Sequence, residues 1–229
     1  MKIALITGAS RGLGRALSRR LAKEGWGLVI DARTAGPLGE AAEELRQLTE
    51  VAALQGDIAD PEHRGALIEA AAELGGLDLL VNNAGILGPS PQPRLEHYPL
   101  DALAEVYAVN VIAQLGLVQV ALPLLEARRG RILNVTSDAG VEPYPGWGGY
   151  GSAKAAFEQL SAVLAAEHPD LRVWWVDPGD MRTQMHQDAF PGEDISDRPV
   201  PEDIVPAIFR LIESDPASGR YRAAELVRS

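Results

Sequence analysis

The sequence predicts an α/β protein built as a doubly wound parallel sheet with helices on both faces. Short apolar runs alternate with longer helical stretches from end to end, the pattern of βαβ units. A glycine-rich turn joins the first apolar run to the first helix. The chemically unusual residues, among them Asp31, Asn82, Asn83, Ser137 and Asp177, fall at the carboxyl ends of the runs. In an open α/β sheet the ligand crevice lies at those ends.

Taken in order, strands are expected over residues 3–7, 28–31, 51–55, 77–81, 131–136 and 172–177, with a weaker one over 221–226. Each of the first six is a short run centred on apolar residues. Helices are expected over 12–24, 38–48, 62–74, 100–127, 150–167 and 201–213. The stretch between Pro89 and Pro99 is rich in proline and reads as a loop, since regular pattern resumes on both sides. Arg128 and Arg129 suit a solvated helix C-terminus, where the macrodipole favours cations. Residues 181–199 carry glycine, prolines and mixed charge without a period, and form a candidate substrate loop. No internal repeat or low-complexity linker divides the chain, so residues 1–229 are expected to form a single domain.

Composition narrows the function. The 229 residues are 46% hydrophobic, enough for a full core. A net charge of −11 argues against general affinity for nucleic acid or anionic membranes. Without cysteine there is no thiolate nucleophile and no cysteine-based zinc site. The histidines, at positions 63, 97, 168 and 186, lack ligand spacing, so no metal site is expected. Ser137 has neither a Gly-x-Ser-x-Gly elbow nor a matching histidine, which argues against a hydrolase. The apolar N-terminus is too short for a secretion signal and no run approaches a membrane span, so the expected location is the cytoplasm.

Two motifs carry chemistry. Thr7-Gly8-Ala9-Ser10-Arg11-Gly12-Leu13-Gly14 follows the first strand and opens the first helix. Glycines there let the backbone approach a pyrophosphate, whose charge the helix N-terminus favours. Tyr150 and Lys154 stand four residues apart in a chain with 18 arginines and three lysines. On a helix they share a face, and a nearby ammonium would lower the phenol pKa by favouring phenolate. The pair could then move a proton at ordinary pH.

Thr-Gly-x-x-x-Gly-x-Gly, Asn82-Asn83-Ala84-Gly85, Ser137, Tyr150-x-x-x-Lys154 and Pro178-Gly179 together resemble the short-chain dehydrogenase/reductase family. They occur in that family's order, from Ile3 to about Ile212. The resemblance implies a Rossmann-like fold and a catalytic group of Asn110, Ser137, Tyr150 and Lys154. Tyr150 would be the acid/base and Ser137 would orient the substrate oxygen. Lys154 would hold the nicotinamide ribose and depress the Tyr150 pKa, and Asn110 would support a proton-relaying water. Read without the resemblance, Asn110 is a helix-surface amide.

The resemblance also implies cofactor contacts. Gly8, Ser10, Arg11, Gly12, Leu13 and Gly14 would cradle the phosphates. Asp57 and Ile58 would meet adenine, although Asp57 reads equally as a turn aspartate before Asp60-Pro61. Asn83, Ala84 and Gly85 would line the adenosine ribose and the approach to the nicotinamide, and Pro178, Gly179, Met181 and Thr183 would cover its carboxamide.

The choice of dinucleotide is a conflict. Asp31, 19 residues after Gly12, suits NAD by the general rule. Aligned to the family, the acidic position falls on Ala32, while Arg33 and Arg11 suit the 2′-phosphate of NADP. Asp31 shares a strand face with Arg33 and could orient it. NADP is expected, with NAD second. The expected substrate is a medium-sized aldehyde, ketone or secondary alcohol with an apolar part, in a pocket lined by Ile86, Leu87, Ala139, Val141, Tyr144, Trp147, Met181, Met185 and Phe190. Glu142 and Asp180 could add polarity. The alternatives are an NAD-dependent alcohol dehydrogenase of the same family and a nucleotide-sensing protein without chemistry. Family members pair the helices 100–127 and 150–167 across a two-fold axis, which implies a homodimer or homotetramer. The sequence through Ser229 lacks the family's Asp-Gly-Gly segment, so the pocket is expected to be more open on that side.

Overall fold

The computed structural model describes residues 1–226. Seven parallel strands are ordered β3-β2-β1-β4-β5-β6-β7, with β1 Ile3–Ile6, β2 Gly27–Ala32, β3 Val51–Gln55, β4 Leu79–Asn82, β5 Arg131–Val135, β6 Arg172–Asp177 and β7 Gly219–Arg222. The chain winds outward from β1 to β3, then returns to place β4 beside β1. That reversal opens the crevice at the carboxyl ends of β1 and β4. Strands β1, β2 and β4 are buried along their whole length. Burial on both faces is why they read as continuous apolar runs.

Alternate side chains serve two cores. Ala4 and Ile6 pack with Leu17 and Leu21 of α1 (Gly12–Lys23), Leu38 and Leu45 of α2 (Ala35–Arg46), and Ile208 and Leu211 of α8 (Pro201–Ser214). Leu5, between them, packs on the other face with Leu67 of α3 (Pro61–Glu73) and Leu117 and Leu125 of α5 (Ala113–Arg128). Leu164 of α6 (Gly148–Glu167) closes that layer. Asp60 caps α3 by accepting from Glu62 N at 2.9 Å, just ahead of Pro61 at the first helical position.

The helix expected over 100–127 is interrupted. It consists of α4 (Leu100–Tyr107), a π-helical segment (Ala108–Ile112) and α5, and ends where Arg129 turns left-handed at φ 48°. The expectation that no segment approaches a membrane span does not hold by length and composition. Leu100–Arg128 spans 29 residues with a mean hydropathy of 1.8 in its most apolar window. Half of that window is buried within the fold, against the α3 and β4 layer.

The last expected strand, 221–226, is also different. β7 comprises Gly219–Arg222, and Ala223–Leu226 turns into a short helix, α9. Ala-Ala-Glu-Leu favours helix intrinsically, and β6 offers no further partner once Asp177 has paired with Arg222. Within residues 181–199 lies α7 (Gln184–Ala189), where Thr183 Oγ1 accepts from His186 N at 3.3 Å. Residues 227–229, the end of the expected domain, lie outside the described residues.

Candidate active site

The glycine turn leaves β1 through Gly8 at φ 67° and enters α1 through Gly12 at φ 56°. A Cβ on Gly14 would lie 2.6 Å from both the Gly8 carbonyl oxygen and Asn83 Nδ2, so the helix can approach the turn only because Gly14 has none. Thr7 and Asn83 fasten this turn to the end of β4. Asn83 N and Ala84 N each donate to Thr7 Oγ1 at 3.0 Å, and Asn83 Nδ2 donates to Thr7 O at 2.8 Å. Next to it, Asn82 Nδ2 donates to Asn134 Oδ1, whose amide donates to Ser161 Oγ, pinning β4, β5 and α6 by a buried polar chain.

Asp31 is placed differently from either sequence expectation. It is buried (2% exposed) and its Oδ1 accepts from Gly8 N at 2.7 Å. Its Oδ2 lies 3.1 Å from Nε2 of His63 on α3, also buried. Both carboxylate oxygens are thus engaged, and Asp31 orients the glycine turn, not Arg33. Sequence reasoning missed His63, which lies 32 residues from Asp31 and meets it only through the register of β2 against α3. Arg11 and Arg33 are exposed on the cleft wall and form no ion pair among the described residues. Asp57 lines the cleft and also accepts from Ala59 N at 2.9 Å, so its turn role is realised.

A cleft of about 1110 Å³ runs along the strand ends. The expected cofactor residues border it, from Gly8, Ser10 and Leu13 through Ile58 and Gly85 to Pro178, Gly179, Met181 and Thr183. Gly14 does not, since it acts behind the turn. Ser137, Tyr150 and Lys154 border the same cleft. Of the expected substrate pocket, Ile86, Leu87, Trp147, Met181 and Met185 line the cleft with Asp180, whereas Ala139, Val141, Tyr144, Phe190 and Glu142 do not. His186 and Ala189 of α7, unforeseen, line it instead.

Tyr150 and Lys154 sit on the first turns of α6, both buried at 9% and 5% exposure. Trp147 packs edge-on against Tyr150, with ring centroids 5.9 Å apart, and shields it from water. Burial first, then the charges of Asp138 and Asp177, push the Tyr150 phenol well above its ordinary value. The expected lowering by Lys154 is therefore not what the protein alone provides. The ammonium lies 5.5 Å from the phenol ring centroid and donates to Val135 O at 2.7 Å. Burial lowers its own pKa from 10.5 to about 8, against the opposing charge of Glu158.

Ser137 precedes a 3₁₀ turn (Asp138–Gly140). Its hydroxyl donates to Asp138 Oδ1 at 3.0 Å and accepts from Ala139 N at 3.2 Å. Asn110 is 1% exposed and is not a surface amide. Its Oδ1 accepts from Ile86 N and its Nδ2 donates to Ile86 O, both at 2.8 Å. The π-helical segment supplies the turn that aims it there, and such segments recur at functional sites. Asn110 does not border the cleft but fixes Ile86, which does.

Fold and site together define a nucleotide-binding enzyme of the doubly wound α/β class. The model of the short chain dehydrogenase family matches residues 2–194. A curated relative, the 11-beta-hydroxysteroid dehydrogenase A of Sesamum indicum, is 33% identical over 82% of this chain; the match spans 55% of that relative's length. The NADP-dependent 3-hydroxy acid dehydrogenase of Schizosaccharomyces pombe is 34% identical over 84% of this chain and 76% of its own. Among solved structures, an alcohol dehydrogenase from the archaeon Thermococcus sibiricus, complexed with 5-hydroxy-NADP, superimposes with a TM-score of 0.87 at 31% identity, covering 97% of this chain and 95% of that one. The chain belongs to the short-chain dehydrogenase/reductase family and is an oxidoreductase.

Proposed function

We propose that this enzyme is an NADP-dependent oxidoreductase that interconverts a carbonyl and an alcohol, with Tyr150 as the acid/base. The observation that carries this reading is the convergence of Ser137, Tyr150 and Lys154 on one cleft with the glycine turn. The turn fits a dinucleotide, because a Cβ at Gly14 would intrude on the turn backbone that must approach the pyrophosphate, and Gly8 takes a left-handed φ of 67°. When bound, the nicotinamide supplies or accepts the hydride. Ser137 Oγ orients the substrate oxygen, and Tyr150 Oη gives it a proton in reduction or takes one in oxidation. A phenol held above its ordinary pKa is protonated at neutral pH in the cofactor-free protein.

Arg11 and Arg33 support NADP, since two exposed guanidiniums on the cleft wall can bind a 2′-phosphate by charge-assisted forks. Asp31 borders the cleft, but both its oxygens are engaged, by Gly8 N and His63 Nε2, which weakens the case for NAD. The NADP dependence of the Schizosaccharomyces relative and the 5-hydroxy-NADP in the Thermococcus structure agree with that choice. Trp147, Leu87 and Met185 around the opening favour a substrate with an apolar body. Exposed Ile112, Val120 and Val163 on α5 and α6 and the segment between α4 and α5 support pairing of two copies.

The test is turnover of a carbonyl panel with NADPH and NADH. Tyr150→Phe should abolish turnover while NADPH still binds. Arg33→Ala should weaken NADPH by about 10-fold or more and leave NADH nearly unchanged, the loss of a charged hydrogen bond being ~1.5–3 kcal/mol. Equal losses for both cofactors would reject the NADP assignment, and full activity in Tyr150→Phe would reject the mechanism.

A further inference from the structure

Arg220, on β7, lies beyond the segment that the family model matches, yet its guanidinium reaches three parts of the site. Its Nε donates to Glu158 Oε1 and Oε2 at 3.0 and 3.1 Å, and its Nη2 donates to the Ser137 carbonyl at 3.3 Å. The same Nη2 stands 3.5 Å from Asp177 Oδ2. Each contact leads to a group that the site needs. Glu158 follows Lys154 by one helical turn and also accepts from Thr136 Oγ1 at 2.7 Å, at the end of β5. Asp177 Oδ1 accepts from Gly179 N at 2.9 Å and so shapes the turn after β6. Glu158 and Asp177 are largely buried, with side chains 13% and 6% exposed. Two such carboxylates in one place repel unless a cation lies between them.

We propose that Arg220 is a positioning residue that clamps the Ser137 strand end, the Lys154 helix and the 177–179 turn into one rigid wall. The guanidinium suits this because its planar fork holds a carboxylate and a carbonyl in a fixed geometry, where an ammonium is a flexible point charge. The clamp is also electrostatic. Glu158 favours the charged form of Lys154, and Asp177 and Asp138 disfavour the charged form of Tyr150. The groups gathered here are Tyr150, Lys154 and Glu158 of α6, Asp138 of the 3₁₀ turn, Asp177 of β6, and Arg220 and Arg222 of β7, with Arg222 Nε 3.6 Å from Asp177 Oδ2. Arg220 sets how much of the carboxylate charge reaches the Tyr–Lys pair.

The inference rests on the proposed role of that pair, so its test has a readout independent of turnover. The sequence has only Lys2, Lys23 and Lys154 as lysines, so Lys154 can be followed by NMR in lysine-labelled, cofactor-free protein. Relative to wild type, Arg220→Ala should raise the titration midpoint of Lys154 by at least ~0.5 pH unit, because Glu158 and Asp177 lose their counter-charge. Glu158→Gln should lower it by a similar amount. Arg220→Lys should restore the midpoint, as a cation, but not the turnover, as it lacks the fork. On a carbonyl that the wild type reduces, Arg220→Ala should cut kcat by about 10-fold or more with the KM for NADPH within ~2-fold. Unchanged midpoints, or shifts of the same sign in Arg220→Ala and Glu158→Gln, would overturn the proposal. A wild type that reduces no carbonyl would overturn the proposed function and leave the NMR result to decide on Arg220.

Discussion

Asp31 separates a structural carboxylate from a cofactor ligand, and its replacement by alanine tells which it is. The substitution removes the acceptor of the 2.7 Å bond from Gly8 N and the partner of His63 Nε2 at 3.1 Å. Both groups would be left buried without partners, since Asp31 itself is only 2% exposed. An orphaned buried polar group costs ~1–3 kcal/mol, and more where the lost partner was charged, so the pair sums to about 3–5 kcal/mol. For a chain of this size that corresponds to a fall of roughly 6–20 °C in Tm. Asp31→Asn keeps an acceptor for Gly8 N and should fall between wild type and alanine. The assays are thermal unfolding without cofactor and titration with NADPH and NADH. Loosening the glycine turn should weaken both dinucleotides by a similar factor. A Tm within a degree or two of wild type, with selective loss of NADH, would refute the reasoning and return Asp31 to the ribose.

Three further outcomes are expected. Gly14→Ala should cost about 1–3 kcal/mol and impair NADPH binding, because its Cβ meets backbone at 2.6 Å; Gly12→Ala, whose nearest neighbour is Thr183 Cγ2 at 3.6 Å, should show only left-handed strain of ~1 kcal/mol in thermal melts. Asn110→Ala strips both hydrogen bonds from Ile86 and should lower Tm by roughly 4–12 °C while leaving far-ultraviolet dichroism intact. Lys154 makes the cofactor-free protein more stable as pH rises. Its folded pKa of about 8 lies below the 10.5 of the free side chain. The burial penalty is therefore whole below pH 8 and is relieved between pH 8 and 10.5, as the folded form releases its proton first. Urea unfolding at pH 7.5 and 9.5 should show a gain of ~2 kcal/mol that Lys154→Met lacks. Tyr150 opposes this only above pH 10, where the unfolded phenol ionises before the raised folded one.

The central strands were legible because burial on both faces leaves an uninterrupted aliphatic signature, as in Ile3–Ile6 and Leu79–Asn82. The glycine turn and the Tyr150/Lys154 pair were legible because each is a local pattern tied to a local geometry. What escaped depends on contacts between distant segments. Nothing in Ala-Val-Asn-Val-Ile marks a π-helical turn, since no proline or glycine interrupts it; the turn answers the need of Asn110 to meet Ile86. The Asp31–His63 pair and the reach of Arg220 across 62 residues to Glu158 are products of sheet order and register. α7 is too short for a period, and β7 stops where its pairing with β6 does.

The scarcity of lysine acquires a physical reason at position 154. The side chain is 5% exposed and ends on the Val135 carbonyl, with Glu158 as its charged neighbour one turn on. A guanidinium there would have five donors to satisfy in a space that offers the single carbonyl bond, and would remain charged at any working pH. An ammonium needs fewer partners, and its pKa can fall to about 8, so its charge responds to what binds beside it. In the protein alone the phenol is neutral, held so by burial and by Asp138 and Asp177. The chain alone therefore leaves the pair unactivated. An anionic dinucleotide would keep Lys154 charged to higher pH, and that charge would in turn favour phenolate at Tyr150. On this account the Lys154 midpoint should rise when NADPH binds; a midpoint that stays at about 8 in the complex would show that the lysine serves only to hold the backbone of β5.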